Sequence, residues 1–191
     1  MIPAMGRRRQ VSDREISVAA REVFIDRGPK APVAMVAKKL GVSTATLFQR
    51  TGSKQALMLM AFQPEGTPIT ELDRGLQPGV PVREQLTHVL IEINQYLGAV
   101  IAASVTLRAA CIESNLPEPT PYQLRARLAT WLTQAATVGL LTVVDADTTA
   151  DILIGAIESR HIHSYMQQQH LTSQQHRDYI HAMLDVVFQG R

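Results

Sequence analysis

The chain has 191 residues, 46% hydrophobic and 19% charged, which is enough apolar content for the core of one sizeable domain or two small ones and enough charge for a soluble, globular protein. Aromatic residues make up only 5% while Ala, Leu, Ile and Gln are plentiful, a balance that disfavours a β-sandwich and favours helices. The formal net charge of +2 conceals a division: residues 1–60 hold 11 basic and 4 acidic side chains (net +7), and residues 61–191 hold 8 and 13 (net −5), so one end is suited to a polyanion.

The opening MIPAMGRRRQ is basic with no apolar run behind it, so it does not read as a signal peptide. Asp13 is placed to cap a first helix whose apolar positions are Ile16, Ala19, Ala20, Val23 and Phe24. Gly28-Pro29 stops it. Pro32 opens a second helix, where its missing N–H costs nothing, with Val33, Val36, Ala37 and Leu40 as the inner face and Gly41 as the end. Val42 is the buried plug of the turn. Ser43 caps a third helix, Thr44 to about Arg50, with Leu47 pointing inward; Gly52-Ser53 ends it, and Ser53 caps a fourth helix containing Ala56, Leu57, Met60 and Ala61.

Two short helices pack at a steep angle across a tight turn only if their contact residues are small. Ala37 and Gly41 are small, and Leu47 fills the wedge between the helices. The spacing Ala37, Gly41, Leu47 predicts a helix-turn-helix whose third helix stands clear and fits a major groove, with Thr44, Ala45, Thr46, Gln49 and Arg50 outward. A plain αα-hairpin is the competing reading. The small, polar outer face and the basic first third favour DNA. Ser43 and Thr44 offer hydroxyls to phosphates, Gln49 suits an adenine edge, and Thr46 offers a methyl to thymine. Lys54, in the first turn of the fourth helix, combines its charge with outward N–H groups as a phosphate clamp. Arg7, Arg8 and Arg9 form an arm that follows the DNA backbone, enters a minor groove, or is only a basic tail.

The run VAKKLGVSTATLFQRTGSKQALM resembles the DNA-binding domain of the tetracycline-repressor (TetR) family of transcriptional regulators, over residues 13–62. Three positions depart from the family pattern. Phe48 stands where a phosphate-contacting tyrosine is usual, Thr51 where a phenylalanine is usual, and Pro32 where a phosphate-binding threonine is common. Phe48 keeps the ring without the hydroxyl. Arg50 replaces the usual histidine with a permanent charge, so Arg50, Lys54 and the arm are expected to carry more of the phosphate load.

Beyond residue 62, QPEGTP and GLQPGVP mark loops. A long helix follows through Leu86, Val89, Leu90, Ile93, Leu97, Val100 and Ile101, then a separate short helix over Val105–Ser114. After NLPEPTP, Thr120 caps and Pro121 opens a helix that ends near Gly139; Asp147 caps one to about Gln169; Ser173 begins the last. The expected fold is all-α, about nine helices: a helix-turn-helix domain over 1–62, then a helical domain over 63–191.

That second domain resembles the family's effector-binding and dimerisation domain in layout only. The resemblance implies a homodimer through the last two long helices, with Ile152, Gly155, Ala156, Ser159, Ile180, Met183, Leu184 and Val187 at the interface, and a palindromic DNA operator. It implies a pocket for a small-molecule effector, with His88, Asn94, Tyr96, Arg108, Trp131, Gln134 and His161 as polar candidates for its lining. No cofactor is expected. No metal site is expected either, since His161 and His163 point in different directions on a helix. An enzyme is the rival class, but no phosphate loop, zinc motif or nucleophile elbow is present, and Cys111 has no visible partner. The lone cysteine also excludes an internal disulfide, and with no run of 18 apolar residues to span a membrane the chain reads as cytoplasmic. The second rival is a DNA-binding architectural protein that lacks an effector; an activator is a further possibility.

Overall fold

Hydroxyl and carboxylate side chains set where the helices begin. In the computed structural model, which describes residues 11–63, 69–113, 120–169 and 171–188, nine α-helices and no strands are found among the described residues. They are α1 (Asp13–Arg27), α2 (Val33–Leu40), α3 (Thr44–Thr51), α4 (Lys54–Ala61), α5 (Ile69–Asp73), α6 (Val82–Ala109), α7 (Pro121–Thr137), α8 (Ala146–Met166) and α9 (Ser173–Val187). Ser43, Ser53, Thr120 and Thr172 each accept a hydrogen bond from the backbone N–H three residues on, the groups a helix start otherwise leaves unpaired. Two expected caps are displaced. Ser12, not Asp13, caps α1, in a reciprocal box with Glu15. Asp145, not Asp147, caps α8 through Thr148. In both cases the expected aspartate instead lies in the first turn, where its charge suits the helix dipole.

The count of nine agrees with the sequence reading, but the helices differ. No breaker interrupts residues 102–109, so α6 runs on to Ala109 and the separate helix expected over Val105–Ser114 does not form. Cys111 follows in a turn at φ 55°. In its place α5, a five-residue helix between the two glycine- and proline-rich stretches, makes up the number.

The described chain falls into two compact units. One takes in the chain up to Gln63 together with the stretch that begins at Val105; the other takes in 64–104 and the chain from residue 115 on. In the first unit α1 packs against α2 and α4, and α3 against α2 and α4. Its core is Ile16, Ala20, Phe24, Val36, Leu47, Leu57 and Met58, all buried. Arg21 spans the foot of α4: its Nε donates to the Ala61 carbonyl at 2.6 Å and a terminal nitrogen to that of Gln63 at 3.1 Å, satisfying acceptors that the helix end leaves over.

In the second unit α7 packs on α8 and α5 on α7. One core joins Leu86, Leu90, Ile93 and Leu97 of α6, Leu124, Leu128 and Trp131 of α7, Leu153 and Ile157 of α8, and Ile180 and Leu184 of α9. By length and composition α6 is apolar enough to cross a membrane, with a mean hydropathy of 1.4 over its most apolar stretch. Half of that stretch is buried in the protein, the pattern of a core helix.

Candidate nucleic-acid interface

α2 ends as the small residues require. Gly41 sits at φ 69°, ψ 29°, the left-handed conformation that costs a residue with a β-carbon, and its N–H returns to the α2 carbonyls. The next peptide N–H, of Val42, donates to the Ala37 carbonyl at 3.0 Å, closing the turn. Ser43 then caps α3 and shares a 2.7 Å hydrogen bond with the Thr46 hydroxyl. Leu47 is 1% exposed and anchors α3 on its inner side. Thr51, where the family pattern has a phenylalanine, is buried and donates its hydroxyl to the Leu47 carbonyl at 3.1 Å, so a small polar group closes the end of α3 with its hydrogen bond made.

This fastening leaves Ser43, Ala45, Phe48 and Gln49 exposed and Thr44 and Thr46 half-exposed. Phe48 presents a large apolar ring to solvent, 37% exposed. Lys54 opens α4 with its ammonium 5.7 Å from the centre of the Phe24 ring. Arg50 stands differently from the expectation of a charge held out for phosphate. Its guanidinium donates to the Val11 carbonyl and pairs with the Asp13 carboxylate, both in the same unit. Nothing in the sequence near Arg50 announces this, because its partners lie 37 and 39 residues away. Arg7, Arg8 and Arg9 lie outside the described residues.

The residues expected to line one pocket are distributed. His88 and Trp131 line a cleft of about 290 Å³ in the second unit, together with Glu71, Arg74, Gln77 and Gln85. Gln134 stands beside it, its carboxamide oxygen 3.9 Å from where a β-carbon on Gly75 would sit. Asn94 and His161 meet elsewhere in that unit: the His161 Nε2–H lies 3.0 Å from both the Asn94 main-chain oxygen and its Oδ1, two acceptors that fix the proton on that nitrogen. The His176 ring stacks on His161 with centroids 5.0 Å apart. Burial and the neighbouring His176 hold the His161 pKa down at about 4, and burial followed by Arg160 lowers that of His176. Tyr96 belongs to the core, and Arg108 falls in the first unit, so neither joins the cleft. No group of three metal-ligating side chains is found among the described residues.

Five of the eight expected interface residues turn toward the core of their own unit. Ile180, Met183 and Leu184 lie in the core of their own unit, and Val187 packs against it, because α9 needs that stripe to stay folded on α6 to α8. Ala156 also leans on that core. The outward face of α8 is instead Ile152, Gly155, Ser159, Ile162 and Met166, at alternating spacings of three and four, with Met166 77% exposed. Val186 on α9 is 74% exposed. The spacing of Ile162 and Met166 from Ile152 was the available signal.

A short α3, wedged by one leucine, capped by a serine and turned on a left-handed glycine, defines a helix-turn-helix head on an all-helical body. Residues 16–61 match the family model described as bacterial regulatory proteins, tetR family. A comparison with curated sequences finds no match. Among solved structures, the transcriptional regulator FadR of Bacillus subtilis, in complex with stearoyl-CoA, superposes with a TM-score of 0.58 at 17% identity, covering 94% of this chain and 100% of that one. A TetR-like transcriptional regulator from Rhodococcus sp. RHA1 gives 0.54 at 22% identity, covering 94% and 96%. A TetR transcriptional regulator from Streptomyces coelicolor gives 0.57 at 19%, covering 93% and 98%. The head of this chain thus matches that family's amino-terminal domain, and the chain as a whole shares the fold of these regulators.

Proposed function

We propose that this regulator acts as a homodimeric repressor that occupies a palindromic operator and is released by a small-molecule effector. The observation that carries the DNA-reading part is the fastened α3, with Thr44, Ala45, Thr46, Phe48 and Gln49 on its open side and Ser43 and Lys54 at adjoining helix starts. Two copies related by a two-fold axis set two α3 helices into successive major grooves, about 34 Å apart for a spacing of one turn. The outward α8 stripe from Ile152 to Met166, with Val186 of α9, supports a second copy as the covering partner. Gly155 and Ser159 at its middle permit close helix approach.

The cleft beside His88 and Trp131 supports a small-molecule effector, since charged, polar and apolar side chains line it together. The Bacillus subtilis neighbour holds an acyl-CoA, which supports a small-molecule occupant for a body of this fold. Release follows if the effector favours a conformation whose two heads are wrongly spaced, and only to the extent of its differential affinity for that state.

Selection of bound duplexes from a random pool tests this. A palindromic product with two equal half-sites is expected. A pool with no enrichment overturns DNA reading, and an unpaired single site overturns the two-fold arrangement. A thermal-shift screen then seeks a molecule that both stabilises the protein and weakens binding to the selected duplex; a stabilising ligand with no effect on that binding counts against release.

A further inference from the structure

Among the outward residues of α3, Arg50 pairs with groups of the α1 start, far away in the chain. It lies in the last turn of a helix only eight residues long. A helix of two turns is marginal alone, and its final turn frays first unless something outside the helix holds it. The capping box of Ser12 and Glu15 satisfies the start of α1 without Asp13, which leaves the Asp13 carboxylate available. The guanidinium takes that carboxylate with one terminal nitrogen and the Val11 carbonyl with the other. Two donors on one planar fork fix direction as well as distance. Val11 is buried, so its carbonyl belongs to the packed part of the head.

We propose that Arg50 is a positioning residue: by clasping Val11 and Asp13 it fixes the end of α3 against the start of α1 and so sets the angle at which Phe48 and Gln49 meet the groove. This rests on the reading that α3 enters DNA. Its consequence runs against simple electrostatics. A phosphate-contacting Arg50 would aid binding to every duplex alike, and Asp13 would only oppose it. A clasp makes Asp13 a contributor to specific binding although it carries the charge of the DNA itself.

The test uses the duplex recovered by selection and a random duplex of equal length, with fluorescence anisotropy at several salt concentrations. Arg50→Ala, Asp13→Asn and the double variant are each expected to lose about fivefold to tenfold in affinity for the selected duplex, the double no more than either single. Binding to the random duplex is expected to stay the same for Arg50→Ala and the salt slope to stay that of the parent. Arg50→Lys keeps the charge but not the fork, and is expected to behave as the alanine variant. Thermal melts accompany each variant; Asp13→Asn, which keeps size and polarity at an exposed position, serves where Arg50→Ala melts early.

Tighter binding by Asp13→Asn overturns the clasp. So does a slope reduced by about 0.9 in Arg50→Ala and restored in Arg50→Lys, the behaviour of a phosphate contact. A parent protein that enriches no duplex at all overturns DNA reading itself, a result separable from either.

Discussion

His161 occupies space that only a glycine at position 98 leaves open: a β-carbon there would stand 2.6 Å from the ring. Gly98→Ala is therefore expected to destabilise the protein by about 1–3 kcal/mol, the range for an overfilled core, with partial recovery in the Gly98→Ala, His161→Ala pair. Calorimetry decides it; equal melting of Gly98→Ala and parent rejects the close fit. The same residue gives a pH dependence. Its folded pKa of about 4 lies below the ordinary 6.5, so between those values the unfolded chain binds the extra proton. Stability is complete above pH 6.5 and falls as the pH drops toward 4, and the His161→Gln variant should show a flatter decline over that window. At the DNA face, Lys54→Ala should lower the slope of log affinity against log salt by about 0.9. Gln49→Ala should instead change which duplexes a selection recovers, with the slope retained; an unaltered preference excludes Gln49 from base reading.

At the scale of the element, the short helices of the head depend on their ends. Ser43→Ala should cost about 1 kcal/mol, because the Thr46 N–H loses its acceptor, and a denaturant melt measures it. The caps at Ser43, Ser53 and Thr120 and the stop at Gly41 were legible in the sequence because each rests on contacts within four or five residues. Ser12 and Asp145 were not, since polar neighbours compete for the same place and the path of the incoming chain decides between them. No glycine or proline stops α6 before Ala109, a continuity that the expected separate helix over Val105–Ser114 overlooked. The outward face of α3 was readable from Leu47 alone, because one buried position on a helix fixes the opposite side. The partners of Arg50 and the seat of His161 were beyond reach: both join residues far apart in the chain, and spacing carries no information about such meetings.

At the scale of the whole molecule, α8 and α9 divide their apolar residues between an inward and an outward side. Leu184→Glu is expected to unfold the second unit, since Leu184 is fully buried. Met166→Glu with Ile162→Glu should leave the helices intact and yield monomers by light scattering. A dimer that survives the pair locates the contact elsewhere. The sequence showed that such helices exist, with small residues at Gly155 and Ser159, but not which stripe each one spends on its own core.

The first compact unit is discontinuous in sequence, drawing on the chain up to Gln63 and again on the stretch from Val105. Homologous recombination with a single crossover near residue 63 would therefore build that unit from two parents. Chimaeras made by exchanging heads between relatives should fare better when the second segment travels with the first, so the head would be inherited as two linked pieces of gene rather than one cassette.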